Sequence, residues 1–365
     1  MVSYAGKTVL VTGATGFIGG RLAERLVFEH GAEVRALIRD WGQGVWLTRL
    51  PVTLIEGDIN HRHSLDRAMA GCEIVFHCVG VGGTLDTCLE TNVEGTRKVL
   101  EAAEAAGVKR VVYLSTSAVH GPNPPENADE RAALVRTGWA YGDTKIAAEE
   151  LIVAFTREHS LPVVILRPTF VWGPRSPWFT VDPIQQILRD TWPLVDHGTG
   201  TCHAVHVDNL VDAILLAGQS PAADGQAFLI TDDQPSTWAN FFLSYARMVG
   251  KTSLASVSSK WTRFYPVRKL DQLFDWILQL LSDHMPDVEP LRFSFRVAHF
   301  AVRRIRKVAG TQAVFSDWDL VKYARQGRLN TSKAREVLGY RPSVSISEGM
   351  RQTEEWLRDQ RIIPG

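Results

Sequence analysis

The chain has 365 residues, 45% of them hydrophobic and 22% charged, the balance of an ordinary globular protein with one large or two modest domains. Lys plus Arg and Asp plus Glu both count 40, so net charge offers no attraction to nucleic acid. No apolar run reaches membrane-spanning length, and Cys72, Cys78, Cys88 and Cys202 lack CxxC spacing, so they are expected to be reduced thiols of a cytoplasmic protein rather than zinc ligands.

The first element reads K-T-V-L-V-T-G-A-T-G-F-I-G-G from Lys7 to Gly20. Val9, Leu10 and Val11 predict a short buried strand, and Gly13, Gly16 and Gly19 predict a tight turn into an amphipathic helix over roughly 17–30. Glycine suits a turn with unusual backbone angles, a backbone that a pyrophosphate must approach closely, and a helix packed tightly on a strand. A helix start also offers unpaired N–H groups to an anion. A glycine trio alone is common; between a strand and a helix it points to a dinucleotide.

Residues 32–39 read as a second strand whose tip carries Arg39, followed by Asp40. An acidic side chain at this tip accepts from the adenosine ribose, whereas an arginine pairs with a 2′-phosphate. Arg39 therefore favours NADP, and Asp40 leaves NAD open. Further strands are predicted at 52–55, 74–78, 110–115 and 162–166, alternating with helices over 86–106 and 139–159. That alternation is α/β: a Rossmann-type doubly wound parallel sheet. Asp58 lies where a carboxylate can meet the adenine amine, and Gly80, Gly82 and Gly83 would let the middle of a cofactor lie over the fourth strand end.

The fifth strand runs into Ser115, Thr116 and Ser117, at the sheet edge where open α/β folds bind ligands. Tyr141 and Lys145 are four apart, so on a helix they share one face. A free phenol has a pKa of about 10, and a neighbouring ammonium favours the phenolate. Such a pair can exchange a proton with a substrate hydroxyl. Tyr265 to Lys269 repeats the spacing, but Pro266 interrupts it and no glycine turn is near.

From Val171 onward the alternation breaks down. This predicts a nucleotide domain over 1–170, completed by about 204–235, and a smaller, mostly helical substrate domain over 171–365. Trp172 and Trp178 fall near loops that should face the cleft, as core residues or as pocket walls. His203 and His206 have no evident third ligand and read as a strand before a helix start at Asp208 and Asn209, with no metal. An insert is expected over 260–313. Its helix at about 291–308 sets Arg292, Arg296, His299, Arg303 and Arg306 opposite Phe293, Val297, Phe300 and Ile305, and solvated arginines are preferred to a membrane-surface contact. Closing helices are expected over 331–338 and 345–358.

Several motifs carry a resemblance: T-G-A-T-G-F-I-G from Thr12, Gly57-Asp58-Ile59, N-V-E-G-T from Asn92, S-T-S-A-V-H-G from Ser115, Y-G-D-T-K from Tyr141, L-R-P-T-F-V-W-G-P-R from Leu166, H-V-D-N-L from His206 and L-G-Y-R-P from Leu338. With them the chain resembles, over nearly its whole length, the extended short-chain dehydrogenase/reductases. That group contains nucleotide-sugar epimerases, dehydratases and 3β-hydroxysteroid dehydrogenase-like enzymes. The resemblance implies Thr116 as the hydroxyl beside the substrate oxygen, Tyr141 as acid/base, and Lys145 as its partner and a nicotinamide-ribose contact. Cofactor contacts are expected from Gly13, Thr15, Gly16, Phe17, Ile18, Arg39, Asp58, Ile59, Val79, Gly80 and Pro168, and substrate contacts from Ser117, Trp172, Arg175 and Trp178.

Ser117 and Ala118 stand where dehydratases and decarboxylases of the group carry acidic residues, which disfavours both reactions. Many of its nucleotide-sugar enzymes carry Asn three residues after the arginine of the sixth strand; here Phe170 follows Arg167 at that distance. The expected protein is thus an NAD(P)-dependent oxidoreductase acting on a secondary alcohol or ketone, as ketoreductase or hydroxysteroid-type dehydrogenase. A nucleotide-sugar 4-epimerase with tightly bound NAD and a non-catalytic cofactor sensor are the alternatives. A homodimer through the helices over 86–106 and 139–159 is a further implication.

Overall fold

The computed structural model describes residues 3–232, 234, 236–259 and 317–364. Seven strands form one sheet: β1 (Thr8–Thr12), β2 (Glu33–Ile38), β3 (Thr53–Glu56), β4 (Ile74–His77), β5 (Arg110–Leu114), β6 (Val163–Pro168) and β7 (Ala227–Ile230). They lie in the order β3-β2-β1-β4-β5-β6-β7, and every neighbouring pair is parallel. The order changes direction between β1 and β4, where Val11 faces Phe76 on one side and Ala36 on the other. A parallel sheet with that switch opens a crevice beyond the carboxyl ends of its strands.

Because side chains alternate along a strand, each β element feeds two separate cores. Val9, Val11, Ala36, Phe76, Leu114 and Phe228 pack with α1 (Phe17–Phe28) and with the helix Val207–Gln219. Leu10, Leu37, Val75, Val111, Tyr113 and Ile165 pack on the opposite face, under α2 (Arg62–Met69), α3 (Gly95–Ala105) and α4 (Ala140–Glu158). Each fully buried Leu or Val stabilises the sheet by roughly 1.5–3 kcal/mol. The near-continuous apolar strands follow from this double coverage, and the strand limits expected from sequence hold to within two residues.

Two compact units divide the chain. The unit with the sheet holds residues 1–185, 201–236 and 326–365, which corrects the expectation that everything after 235 belongs with a substrate domain. Side chains explain the assignment. Lys333 Nζ donates to the Ala227 carbonyl (2.9 Å), the Tyr340 hydroxyl to that of Thr231 (3.2 Å), and Asn209 Oδ1 accepts from the Ser343 and Val344 amides (2.9 and 2.8 Å).

The second unit comprises 186–200 and 237–325. In its described part the strands Leu194–Val195 and Ser256–Val257 pair in parallel. The helix Trp238–Met248 sets Trp238 edge-on against Tyr323, with ring centroids 4.5 Å apart. The insert expected over 260–313, with its basic stripe, lies outside the described residues. No helix among the described residues is long and apolar enough to cross a membrane.

Candidate active site

The turn between β1 and α1 is built from backbone. Gly13 has φ 74°, and a Cβ there would come within 3.0 Å of the Cys78 carbonyl carbon. At Gly19 a Cβ would overlap the Gly13 carbonyl oxygen. Gly16 caps α1 without any side-chain hydrogen bond, so no side chain caps the amides of the first turn, at Phe17 and Ile18 beside Thr15. Free amides at a helix start, with no side chain in the way, form a cradle for a pyrophosphate. These residues fit a dinucleotide.

Further along the crevice, β2 ends with Ile38 buried and Arg39 exposed. Arg39 makes no ion pair or hydrogen bond among the described residues. The Asp40 carboxylate, by contrast, accepts from the Gly42 amide at 2.8 Å and caps the short turn Trp41–Gly44. Beyond β3, Asp58 Oδ1 accepts from the Asn60 amide (2.8 Å), and Ile59 is buried against Gly95, where a Cβ would come 2.5 Å from its Cδ1.

The reacting end of the crevice is built from side chains. Beyond β4, Asn92 clamps the loop by taking the Val81 amide and donating to the Val81 carbonyl (2.9 Å each), and its amide nitrogen also donates to Thr144 Oγ1 (3.0 Å). Asn92 sits in a wide π turn, Leu89–Glu94, that leads into α3, a local irregularity that re-aims side chains. The clamp sets Gly80 against α4: a Cβ at Gly80 would come 3.1 Å from Lys145 Nζ and 3.8 Å from Tyr141 Cε2. Both α4 side chains therefore flank one glycine.

Thr116 follows β5 in extended backbone, and its Oγ1 accepts from the Ala118 amide (3.2 Å). Burial pushes the Tyr141 phenol up to about 12, and a hydrogen bond with the Thr116 hydroxyl pulls the other way. Lys145 is buried, and its ammonium donates to the carbonyls of Leu114 (2.9 Å) and Val79 (3.3 Å) and to the Tyr113 hydroxyl (3.3 Å). Burial lowers it to about 8, opposed by the carboxylate of Glu149. The sequence expectation that Lys145 holds the phenol below its ordinary value is thus corrected. Desolvation dominates, and the ammonium is turned toward those three oxygens.

Glu149, one turn beyond Lys145, ties the helix to two strand ends. It accepts from Ser115 Oγ (2.5 Å) and from Arg167 Nη2 (2.6 Å), while Arg167 Nη1 donates to the Glu130 carbonyl (2.9 Å). A buried ion pair of this kind adds little net stability but is costly to break on one side. Pro168 closes β6, buried beside Ile230. Glu149, Tyr113 and Asn92 as a clamp were passed over in the sequence. The N-V-E-G-T motif at Asn92 and the i+4 spacing of Glu149 from Lys145 were the available signals.

The expected substrate residues separate. Ser117 begins a short 3-10 turn beside Thr116, and Trp178 is 74% exposed. Trp172 is fully buried, its ring edge-on to His206 at 5.0 Å, in a strand paired with Ala204–His206. It is core, not a pocket wall, because that pairing carries it under the closing helix at Gly349. Arg175 turns to α1, with its guanidinium 5.6 Å from the Trp46 ring and 3.6 Å from Glu24, so it leaves the reacting end. His203 and His206 serve locally: His203 Nε2 lies 3.1 Å from the Gly327 carbonyl, and His206 Nδ1 accepts from the Asp208 amide at 3.4 Å.

Residues 9–230 match the model of the NAD dependent epimerase/dehydratase family. The chain is 33% identical over 236 residues to 4-hydroxy-2-methyl-3-oxo-4-farnesyl-3,4-dihydroquinoline-1-oxide ketoreductase of Stigmatella aurantiaca, covering 63% of this chain and 70% of that protein. It is 27% identical over 328 residues to a 3-beta-hydroxysteroid dehydrogenase of Mycolicibacterium neoaurum, covering 84% and 87%. In fold it is similar to UDP-glucuronic acid 4-epimerase from Bacillus cereus in complex with NAD, with a TM-score of 0.71 and 20% identity over 97% of this chain and 99% of that one.

Proposed function

The chain belongs to the NAD dependent epimerase/dehydratase family and is an NAD(P)-dependent oxidoreductase/epimerase of the extended short-chain dehydrogenase/reductase type, and on that premise we propose that it is an NADP-dependent reductase of an apolar ketone, or dehydrogenase of the matching secondary alcohol. The observation that carries this is Tyr141 and Lys145 flanking Gly80, with the Thr116 hydroxyl beside the Tyr141 phenol, at the carboxyl edge of the sheet. Two features support a ketone over a nucleotide sugar. Phe170, three residues after Arg167, packs on Phe179 with ring centroids 3.9 Å apart and offers no hydrogen-bonding group to a diphosphate. The ketoreductase and hydroxysteroid dehydrogenase relatives act on ring systems by their names.

When bound, the nicotinamide supplies the hydride for a carbonyl carbon or takes it from a carbinol carbon. The chain handles the oxygen. Tyr141, neutral at pH 7 because burial lifts it to about 12, donates its proton to that oxygen, and Thr116 holds the same atom by its hydroxyl. Lys145, protonated below about 8, favours the phenolate that proton transfer leaves behind. Arg39, exposed at the tip of β2, is our contact for a 2′-phosphate, supported by the engagement of Asp40 with Gly42.

The same proposal includes a reducing, cytoplasmic setting, supported by Cys72, Cys78, Cys88 and Cys202 standing as thiols rather than disulfides. It also includes a homodimer through the helices at 85–105 and 140–158, supported by exposed Leu85, Leu89 and Val153. The test is a purified-protein assay with NADPH and NADH against flat ketones, 3-oxo esters and, separately, UDP-glucose. Ketone reduction with at least about tenfold preference for NADPH is expected, the scale of one charge-assisted contact, and Arg39→Ala should erase the preference. Interconversion of UDP-glucose and its 4-epimer with no ketone reduced overturns the proposal.

A further inference from the structure

Two residues before Tyr141 the chain enters α4 through Trp139. Its indole centroid lies 5.1 Å from that of the Tyr141 ring, with the planes at 53°, and the residue is 40% exposed. Large exposed aromatics cost solvation, and most find a partner or move freely. Trp139 is held. The Asp143 carboxylate accepts from the Thr137 and Gly138 amides (2.9 Å each), and the Asp143 amide donates to the Trp139 carbonyl (2.9 Å). Gly138 turns with φ 80°, which favours glycine. Under the indole stands Gly142, where a Cβ would come 3.1 Å from its Cε3, so a side chain at 142 would push the ring away. Backbone, cap and glycine together fix an aromatic face beside the phenol.

We infer that Trp139 is a specificity-determining wall of the substrate site, which selects ketones and alcohols whose reacting carbon is borne on a flat apolar ring. This rests on the assignment of Tyr141 as the group that meets the substrate oxygen. An indole face offers dispersion and offset stacking to a ring and accepts no strong hydrogen bond, so a sugar placed there exchanges water for nothing equivalent.

The experiment uses the full chain saturated with NADP⁺, which binds a ketone without reducing it. Binding of 2-tetralone and of butanone is measured by calorimetry for the wild-type protein, Trp139→Ala and Trp139→Phe, and NADPH-dependent reduction of both ketones is measured alongside. Trp139→Ala is expected to raise the tetralone Kd about tenfold, the scale of losing one aromatic contact. Trp139→Phe should raise it less than about threefold, and in Trp139→Ala the loss for tetralone should exceed any loss for butanone or for NADP⁺. Unchanged tetralone affinity in Trp139→Ala overturns the inference. So does an equal loss for tetralone, butanone and NADP⁺, the mark of a merely structural residue, and so does a change in oligomeric state, which makes the face a contact between copies. Failure of the wild-type protein to bind tetralone also overturns it. Trp139-dependent binding without reduction of either ketone upholds the wall and sinks the redox proposal instead.

Discussion

The glycine turn between β1 and α1 and the Thr116, Tyr141 and Lys145 cluster beyond β4 and β5 hold polar groups in opposite ways. At the turn, Gly13, Gly16 and Gly19 remove side chains so that backbone amides face outward and no titratable group is needed. At the cluster, Lys145 is buried and Tyr141 half-buried, and desolvation drives their proton affinities in opposite directions, up to about 12 and down to about 8. The first site is governed by sterics, and a methyl group is the relevant perturbation. The second is governed by desolvation, and a proton is. Binding and chemistry should therefore fail separately.

The largest expected effect is at the cluster. Tyr141→Phe keeps the ring against Trp139 but removes the proton, and kcat for ketone reduction should fall by about 10²–10⁴-fold with NADPH affinity retained. Steady-state kinetics beside a cofactor titration measures both, and a variant that loses affinity as much as turnover breaks the separation. Next is the turn. Gly19→Ala forces α1 away from the Gly13 carbonyl, an overpacking cost of about 1–3 kcal/mol, hence a cofactor Kd roughly 5- to 150-fold weaker. At saturating NADPH its kcat should match the wild-type value.

The smallest effect sharpens the contrast through pH. Lys145 has a lowered pKa, so its ammonium is present below about 8 and lost as pH rises through that value. Ketone reduction at saturating cofactor should decline above pH 8, approaching tenfold per unit. Cofactor affinity at the backbone-built turn should stay flat over the same window. A turnover profile flat from pH 6 to 10 would remove Lys145 from the electrostatics of the step.

How much of this was legible beforehand follows the same divide. The glycine turn occupies seven consecutive residues, and its function depends on backbone angles and missing side chains, which local sequence states directly. Strand ends at Thr116 and Arg39 were also locatable, because apolar runs bounded by polar residues mark where a parallel sheet stops. The choice between core and pocket wall at Trp172, and the place of Arg175, could not be made from their neighbours in sequence. Their partners, His206 in one case and Trp46 with Glu24 in the other, come from far along the chain. Residues 326–365 were assigned to the wrong body for the same reason: Asn209 and Ala227, which hold them, carry no signal pointing to position 333 or 344.

By itself, then, the sequence determined the doubly wound sheet and the glycine turn between a strand and a helix, since periodicity and glycine are local properties; the i+4 spacing brought out Tyr141 and Lys145, and Thr116 was singled out by the family resemblance. Tertiary structure alone decided in which direction the proton affinities of Tyr141 and Lys145 move. Burial raises the Tyr141 phenol against the hydrogen bond of the Thr116 hydroxyl, and burial lowers the Lys145 ammonium, which donates to the Leu114 and Val79 carbonyls and the Tyr113 hydroxyl, against the Glu149 carboxylate. The three oxygens that meet the Lys145 ammonium come from β5 and from the residues after β4, and only folding brings them to one nitrogen on α4.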